Sequence, residues 1–194
     1  MRIVGGKFGG QTIASVSGQS TRPTSERVRE AIFNILVHGT ASVTLEGARV
    51  LDLFAGTGAF GFEALSRGAK FCQFVDDRME ARATIRRNAD ALGVIGQCKI
   101  WRRDATRLGP FTAQTPFDLV FIDPPYETAK GDAALCSLID GGWLKRNATA
   151  VLEESARAQV ELPAGMERID ERLYGDTKVL FLRATGQVAS GDDG

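Results

Sequence analysis

Short strand-forming runs alternate with helix-patterned ones from Ala48 onward, and this alternation limits the chain to few architectures. The runs "ARVLDLFAG", "KFCQFVD", "CKIWRRDA", "FDLVFIDPPY" and "ATAVLEES" read as buried strands. Between them, "GAFGFEALSRGA", "RMEARATIRRNADALG" and "KGDAALCSLIDGGWL" have helical spacing, and Gly93 ends the second. Strands joined through helices run parallel, because a tight hairpin can only reverse the chain. The expected fold class is therefore α/β, a doubly wound and mostly parallel sheet. "RIDERLYGDTKVLFLRA" reads as a closing strand pair that turns at Tyr174-Gly175. Ligands on such sheets bind at the carboxyl ends of the strands, so the residues just after each strand carry the information.

Upstream of the alternation, "MRIVGGKFGGQTIASV" predicts a small hairpin or ribbon, and "GQSTRPTSE" a loop. Val28, Ala31, Ile32, Ile35 and Leu36 recur at helical spacing, so a helix is expected over Ser25 to Val37, stopped by Gly39. The 194 residues suit one domain with a small extension. The expected division is a ribbon and loop over 1–24, the sheet domain over 25–184 and a disordered tail over 185–194.

The 24 basic and 24 acidic residues balance, so there is no bulk signal for a polyanion or membrane partner. Their distribution is uneven. Arg2, Lys7, Arg22, Arg27 and Arg29 crowd the N-terminus, and a second basic stretch runs from Arg78 to Arg107. Such stretches are either solvated helix faces or a shared face for a polyanion. Cys72, Cys98 and Cys136 lack metal-ligand spacing and read as reduced thiols. With one histidine, His38, neither a histidine triad nor a histidine-based metal site is expected. No apolar run has membrane-span length and the N-terminus lacks a signal-peptide apolar region, so a cytoplasmic protein is expected. A monomer is the expectation, since no apolar helix face is left over.

The first strand runs into Asp52-Leu53-Phe54-Ala55-Gly56-Thr57-Gly58-Ala59-Phe60-Gly61. Gly56, Gly58 and Gly61 match a dinucleotide-binding turn, and Asp76 follows where an acid would hold a ribose. Asp52 argues for a different nucleoside cofactor. A carboxylate facing the turn would repel a pyrophosphate, but suits a cofactor bearing an amino group and a sulfonium, S-adenosylmethionine. The third strand ends in Arg103-Asp104-Ala105. Asp104 there either accepts from an adenine amino group or caps the next segment.

The fourth strand delivers Asp123-Pro124-Pro125-Tyr126. Consecutive prolines end the strand and donate no N–H. The loop therefore offers acceptors, the Asp123 carboxylate and the Pro124 carbonyl, beside a ring, Tyr126. Acceptors without donors fit a substrate that arrives as an exocyclic NH2 group on a base, with Tyr126 as a stacking face. A base in a helix would have to be extruded to reach it. The expected chemistry is in-line methyl transfer to that nitrogen, with Asp123, Pro124 and Tyr126 catalytic.

The ordered set "RIVGGKFGG", "RPTSERVREAIFNIL", "VLDLFAGTGAFGFEALSRGA", "FVDDR", "NADALG", "FIDPPY" and "GGWL" resembles the bacterial 16S ribosomal RNA guanine-N2 methyltransferase family of the guanine(966) type, from Arg2 to about Arg183. The resemblance implies a seven-stranded, Rossmann-like methyltransferase sheet. It implies S-adenosylmethionine, which leaves as S-adenosylhomocysteine, bound around Asp52, Phe54, Gly56, Gly58, Asp76, Asp104 and Ala105, with no metal. Asp76 is preferred over its neighbour Asp77 because Asn88 then falls at the family spacing. It implies a guanine N2 amine in 16S ribosomal RNA, within a small subunit or assembly intermediate, as the substrate of Asp123 to Tyr126. It also implies that the N-terminal ribbon and the Arg22-Pro23-Thr24 loop face RNA through Arg2, Lys7, Arg22 and Thr24; Thr24 either contacts the cofactor or caps the helix. The rivals are an adenine-N6 DNA methyltransferase, another RNA guanine methyltransferase, a nicotinamide-dependent oxidoreductase and a non-catalytic RNA-binding module.

Overall fold

A computed structural model describes residues 1–16, 26–112, 115–125 and 128–186. Among these, seven strands form one sheet: β1 (Arg49–Leu53), β2 (Phe71–Val75), β3 (Cys98–Trp101), β4 (Phe117–Ile122), β5 (Leu144–Ser155), β6 (Met166–Tyr174) and β7 (Thr177–Ala184). The helices are α1 (Glu26–His38), α2 (Ala59–Ser66), α3 (Met79–Ala91) and α4 (Lys130–Asp140). The spatial order is β3-β2-β1-β4-β5-β7-β6. The first five strands pair in parallel, and β7 enters antiparallel between β5 and β6. Strand order reverses between β1 and β4, which opens a crevice at their carboxyl ends.

Side chains alternate across the sheet and build one apolar layer on each face. Val50, Phe74, Leu119 and Phe121 join Ile32, Phe33, Leu36, Phe62 and Ile85 from the helices on one side. Leu51, Val75, Val120 and Ile122 join Leu135, Leu138 and Trp143 on the other. Helix α2 lies unusually close to the sheet because of Gly61. A Cβ there would stand 2.3 Å from the Phe74 ring and 2.6 Å from Cys72 Sγ.

The expected elements form, with adjustments. The N-terminal ribbon reduces to one antiparallel bridge, Arg2 to Thr12, around a short 3-10 turn at Gly6–Phe8. Its side chains Ile3, Phe8 and Ile13 are buried in the first apolar layer. β3 stops at Trp101, short of Asp104. β5 starts at Leu144 rather than Ala148, since a bulge around left-handed Asn147 lets the strand begin earlier. The buried face of α1 is Arg29, Ile32, Phe33 and Leu36, rotated from the expected one and including an arginine. Ser25 and the 187–194 part of the expected tail lie outside the described residues, and no helix among the described ones is long and apolar enough to cross a membrane. Between β3 and β4 no described residue is helical, unlike the other parallel crossovers.

Candidate functional site

The carboxyl ends of β1, β2 and β4 and the chain after β3 converge on one cleft of about 1010 Å³. Asp52, Phe54, Gly56, Asp76, Asp104, Ala105, Asp123 and Pro124 all line it. Residues from 52 to 124 meet because every parallel strand ends at the same sheet edge. Gly58 does not line the cleft. It starts α2 in a left-handed conformation (φ 80°), and a Cβ would fall 2.6 Å from the Phe62 ring, so its role is in packing. Phe54 is left-handed as well (φ 56°), although it carries a side chain. Strain of this kind collects where a chain must aim backbone at a ligand.

The two acids of the turn are used differently. Asp76 is buried; its Oδ2 accepts from the Gly56 amide at 2.9 Å, and its Oδ1 pairs with Arg78 Nε at 3.2 Å. Its neighbour Asp77 also lines the cleft but is exposed. Asp52 Oδ2 accepts from the Gly61 amide at 2.9 Å. Burial pushes the Asp52 carboxyl up to about 8, opposed by the Gly61 hydrogen bond and reinforced by the Asp76 charge. Burial thus favours the protonated form of Asp52 and weakens the charge repulsion that the sequence argument set against a pyrophosphate. The glycine amides weigh against a pyrophosphate as well. Gly56 donates to Asp76, Gly58 to the Ala55 carbonyl at 2.7 Å and Gly61 to Asp52. The glycine donors that a pyrophosphate would take up are occupied by the protein.

Asp104 is exposed and caps the turn after β3, accepting from the Thr106 amide and hydroxyl at 2.9 and 2.7 Å. Those hydrogen bonds hold its carboxyl below the usual range. Asp104 therefore caps the next segment, as one reading of its spacing had it, and it also lines the cleft. In the acceptor loop, Asp123 is half-buried, Pro124 buried and Pro125 exposed. Tyr126, Arg22 and Thr24 lie outside the described residues. Arg2 and Lys7 do not line the cleft. Arg2 is paired with Glu26 at 3.1 Å, and Lys7 lies 5.4 Å from the centre of the Phe8 ring.

Sequence reasoning missed two parts of the site and the structural role of a third, Asn88. Arg29 is fully buried, lines the cleft, and faces Glu63 at 3.6 Å. Burial lowers its pKa and Glu63 opposes that shift. The signal was present: Arg29, Ile32, Phe33 and Leu36 fall at i, i+3, i+4 and i+7, which puts a charge on the apolar face. Glu63 also accepts from the Val4 and Gly5 amides at 2.7 and 2.9 Å and so ties the N-terminal segment to α2. Asn88 is a second tie. Its carboxamide exchanges hydrogen bonds with Ala14 (2.8 and 3.2 Å) and donates to the Thr57 carbonyl at 3.0 Å. Finally, Ser155, Ala156, Arg157 and Asp176 bring the β5 end and the β6–β7 turn to the cleft. No local pattern marks those four. Among the described residues, no cluster of three or more His, Cys, Asp or Glu side chains could hold a metal.

Known proteins resemble this chain over most of its length. The family model described as "Conserved hypothetical protein 95" matches residues 1–183. "Ribosomal RNA small subunit methyltransferase D" of Escherichia coli (strain K12) is 32% identical over 197 residues, covering 100% of this chain and 94% of that protein. The chain belongs to this family. "Putative rRNA methyltransferase YlbH" of Bacillus subtilis is 35% identical over 191 residues, covering 96% of this chain and 100% of the relative. The solved structure "Putative methyltransferase yhhF from Escherichia coli" superposes with a TM-score of 0.80 at 29% identity, covering 96% and 99% of the two chains. The methyltransferase D family therefore accounts for the N-terminal segment as well as the sheet, and the sheet is the Rossmann-like methyltransferase fold.

Proposed function

We propose that the protein transfers a methyl group from S-adenosylmethionine to the exocyclic N2 amine of a guanine in 16S ribosomal RNA, the guanine(966)-type position. The observation that carries this reading is the convergence of the acceptor loop, Asp123 to Pro125, with the glycine turn and three strand-end acids in one cleft. Relatives matching 90% and 100% of this chain are named as small-subunit ribosomal RNA methyltransferases.

The donor set fits the cofactor. Asp76, buried at the end of β2, is suited to ribose hydroxyls, and Asp104 to an adenine amino group. Asp52 is suited to a cationic amino group, which would draw off its proton. Phe54 and Ala105 supply apolar wall. The cofactor, when bound, supplies an electrophilic methyl on a sulfonium. The chain's own work is positioning and electrostatics. The Asp123 carboxylate and Pro124 carbonyl accept the two amine hydrogens, favouring a pyramidal nitrogen and aiming its lone pair. With the methyl delivered from the sulfonium, which would leave as a neutral thioether, the nitrogen held by Asp123 and Pro124 would become cationic. The nitrogen becomes acidic only then, and its proton passes to Asp123 or water, so no strong base is required beforehand. Tyr126 would stack on the base, and Arg22 would hold a phosphate.

The test uses labelled S-adenosylmethionine and small subunits from cells lacking the endogenous enzyme, with nucleoside analysis of the digested RNA. N2-methylguanosine is expected, and Asp123→Ala should abolish it while cofactor binding survives. Label in N6-methyladenosine, or loss of cofactor affinity as the only defect of Asp123→Ala, would overturn the reading.

A further inference from the structure

The sheet face over β2 and β3 holds a second groove, which the cleft does not explain. Parallel strands are normally covered on both faces by crossover helices. The β3–β4 connection provides none among its described residues, and the face it leaves open is not apolar. Arg49 pairs in register with Phe71, Gln73 with Lys99, and Val75 with Trp101. With a side-chain period of two, all of these lie on one face. The groove, about 570 Å³, is lined by four cations, Arg49, Lys99, Arg103 and Arg107, and by no carboxylate among the described residues. Asp118, which accepts from the Arg49 amide, is itself neutralised by Lys145 at 2.6 Å.

Rings and cations alternate in this groove. Lys99 and Arg103 lie 4.5 and 5.0 Å from the Trp101 ring centre, and Arg49 lies 4.5 Å from that of Phe71. Gln73 is 3% exposed, and its amide nitrogen is buried without a hydrogen-bond partner. Such an orphan donor on the wall of a groove is costly unless something accepts from it. Arg103 lines both this groove and the cleft, so the two adjoin at that side chain.

We propose that the groove binds single-stranded RNA leading away from the target nucleotide. This rests on the RNA substrate proposed above and adds a second site to it. A single strand alternates phosphates with planar bases, as the groove alternates cations with rings and guanidinium planes. A base carbonyl would satisfy Gln73. An acidic peptide would engage the cations and could satisfy Gln73 through a main-chain carbonyl, but its carboxylates bring no planar base to Trp101 and Phe71. The four residues of β3 span ~13 Å, so the groove takes only a few nucleotides.

Lys99→Ala/Arg107→Ala tests this, because both side chains are exposed and neither lines the cleft. The measurement is the affinity of the full chain for 16S ribosomal RNA across a salt series. The variant should bind roughly tenfold more weakly, with a salt slope shallower by about 1.4, as two lost single-strand phosphate contacts require. Thermal stability and S-adenosylhomocysteine affinity should not move. Equal affinity and slope for wild type and variant would overturn the groove and leave the methyltransferase reading standing. The same equality with reduced methylation of assembled subunits would also overturn it, and would assign the face to a ribosomal protein. A wild type that methylates no subunit, yet binds RNA better than the variant, would overturn the proposed activity and keep the groove.

Discussion

Asp52→Asn should change how stability depends on pH, and the size of the effect follows from burial. The carboxyl is buried at the floor of the cleft, with one strong donor, the Gly61 amide. Its proton affinity rises from an ordinary 3.8 to about 8. Between those values the native state holds a proton that the unfolded chain has released. Stability from this group is therefore complete below the unfolded value and is lost as pH rises through the folded one. One proton is worth ~1.4 kcal/mol per pH unit. The full interval sets a ceiling on the order of 5–6 kcal/mol, which any water entry or relaxation around Asp52 would reduce. Asparagine keeps the acceptor for Gly61 and cannot ionise. Urea unfolding of both proteins from about pH 5 to about pH 9 isolates the group, since other titrations cancel in the difference. The wild type should lose stability relative to the variant by ~1.4 kcal/mol per pH unit, levelling off above about pH 8. A difference that does not vary with pH would refute the argument, because it would mean that Asp52 has the same proton affinity folded and unfolded.

Two other sites give separable outcomes. Glu63→Gln leaves the buried Arg29 guanidinium without its counter-charge and should cost roughly 3–5 kcal/mol in urea unfolding; Arg2→Ala, which breaks an exposed pair with Glu26, should stay within ~1 kcal/mol. Asn88→Ala removes the tie between Ala14 and the Thr57 carbonyl, with a loss of roughly 1–3 kcal/mol. Hydrogen exchange should then show the Ala14 amide deprotected while the β1 and β4 amides keep their protection.

Much of the site was legible because its signals are local. A strand's period, a glycine turn and a pair of prolines each act within a few residues, so the acceptor loop and the strand-end acids could be read off the chain and placed at one sheet edge. The parallel order followed from the helices between strands. The ribbon and the third strand were over-read for the opposite reason. Whether residues such as Arg102 to Asp104 extend a strand depends on a neighbour that pairs with them, and here the β2 partner ends at Val75.

The sequence alone determined which residues end strands and what hydrogen-bonding chemistry they offer. Only the tertiary structure decided which of those groups carry charge and where charge stays exposed. Glu63 lies thirty-four positions from Arg29, and nothing local pairs them. Asp52 looked like an anion because its neighbours in sequence do not show that β1 and α2 would close over it. The cations of the β2–β3 face could be read as a solvated stretch or as a polyanion face, and only the register sets them beside Phe71 and Trp101. Proton affinity and partner choice depend on the dielectric and charges contributed by distant segments, and that sum exists only once the chain has packed.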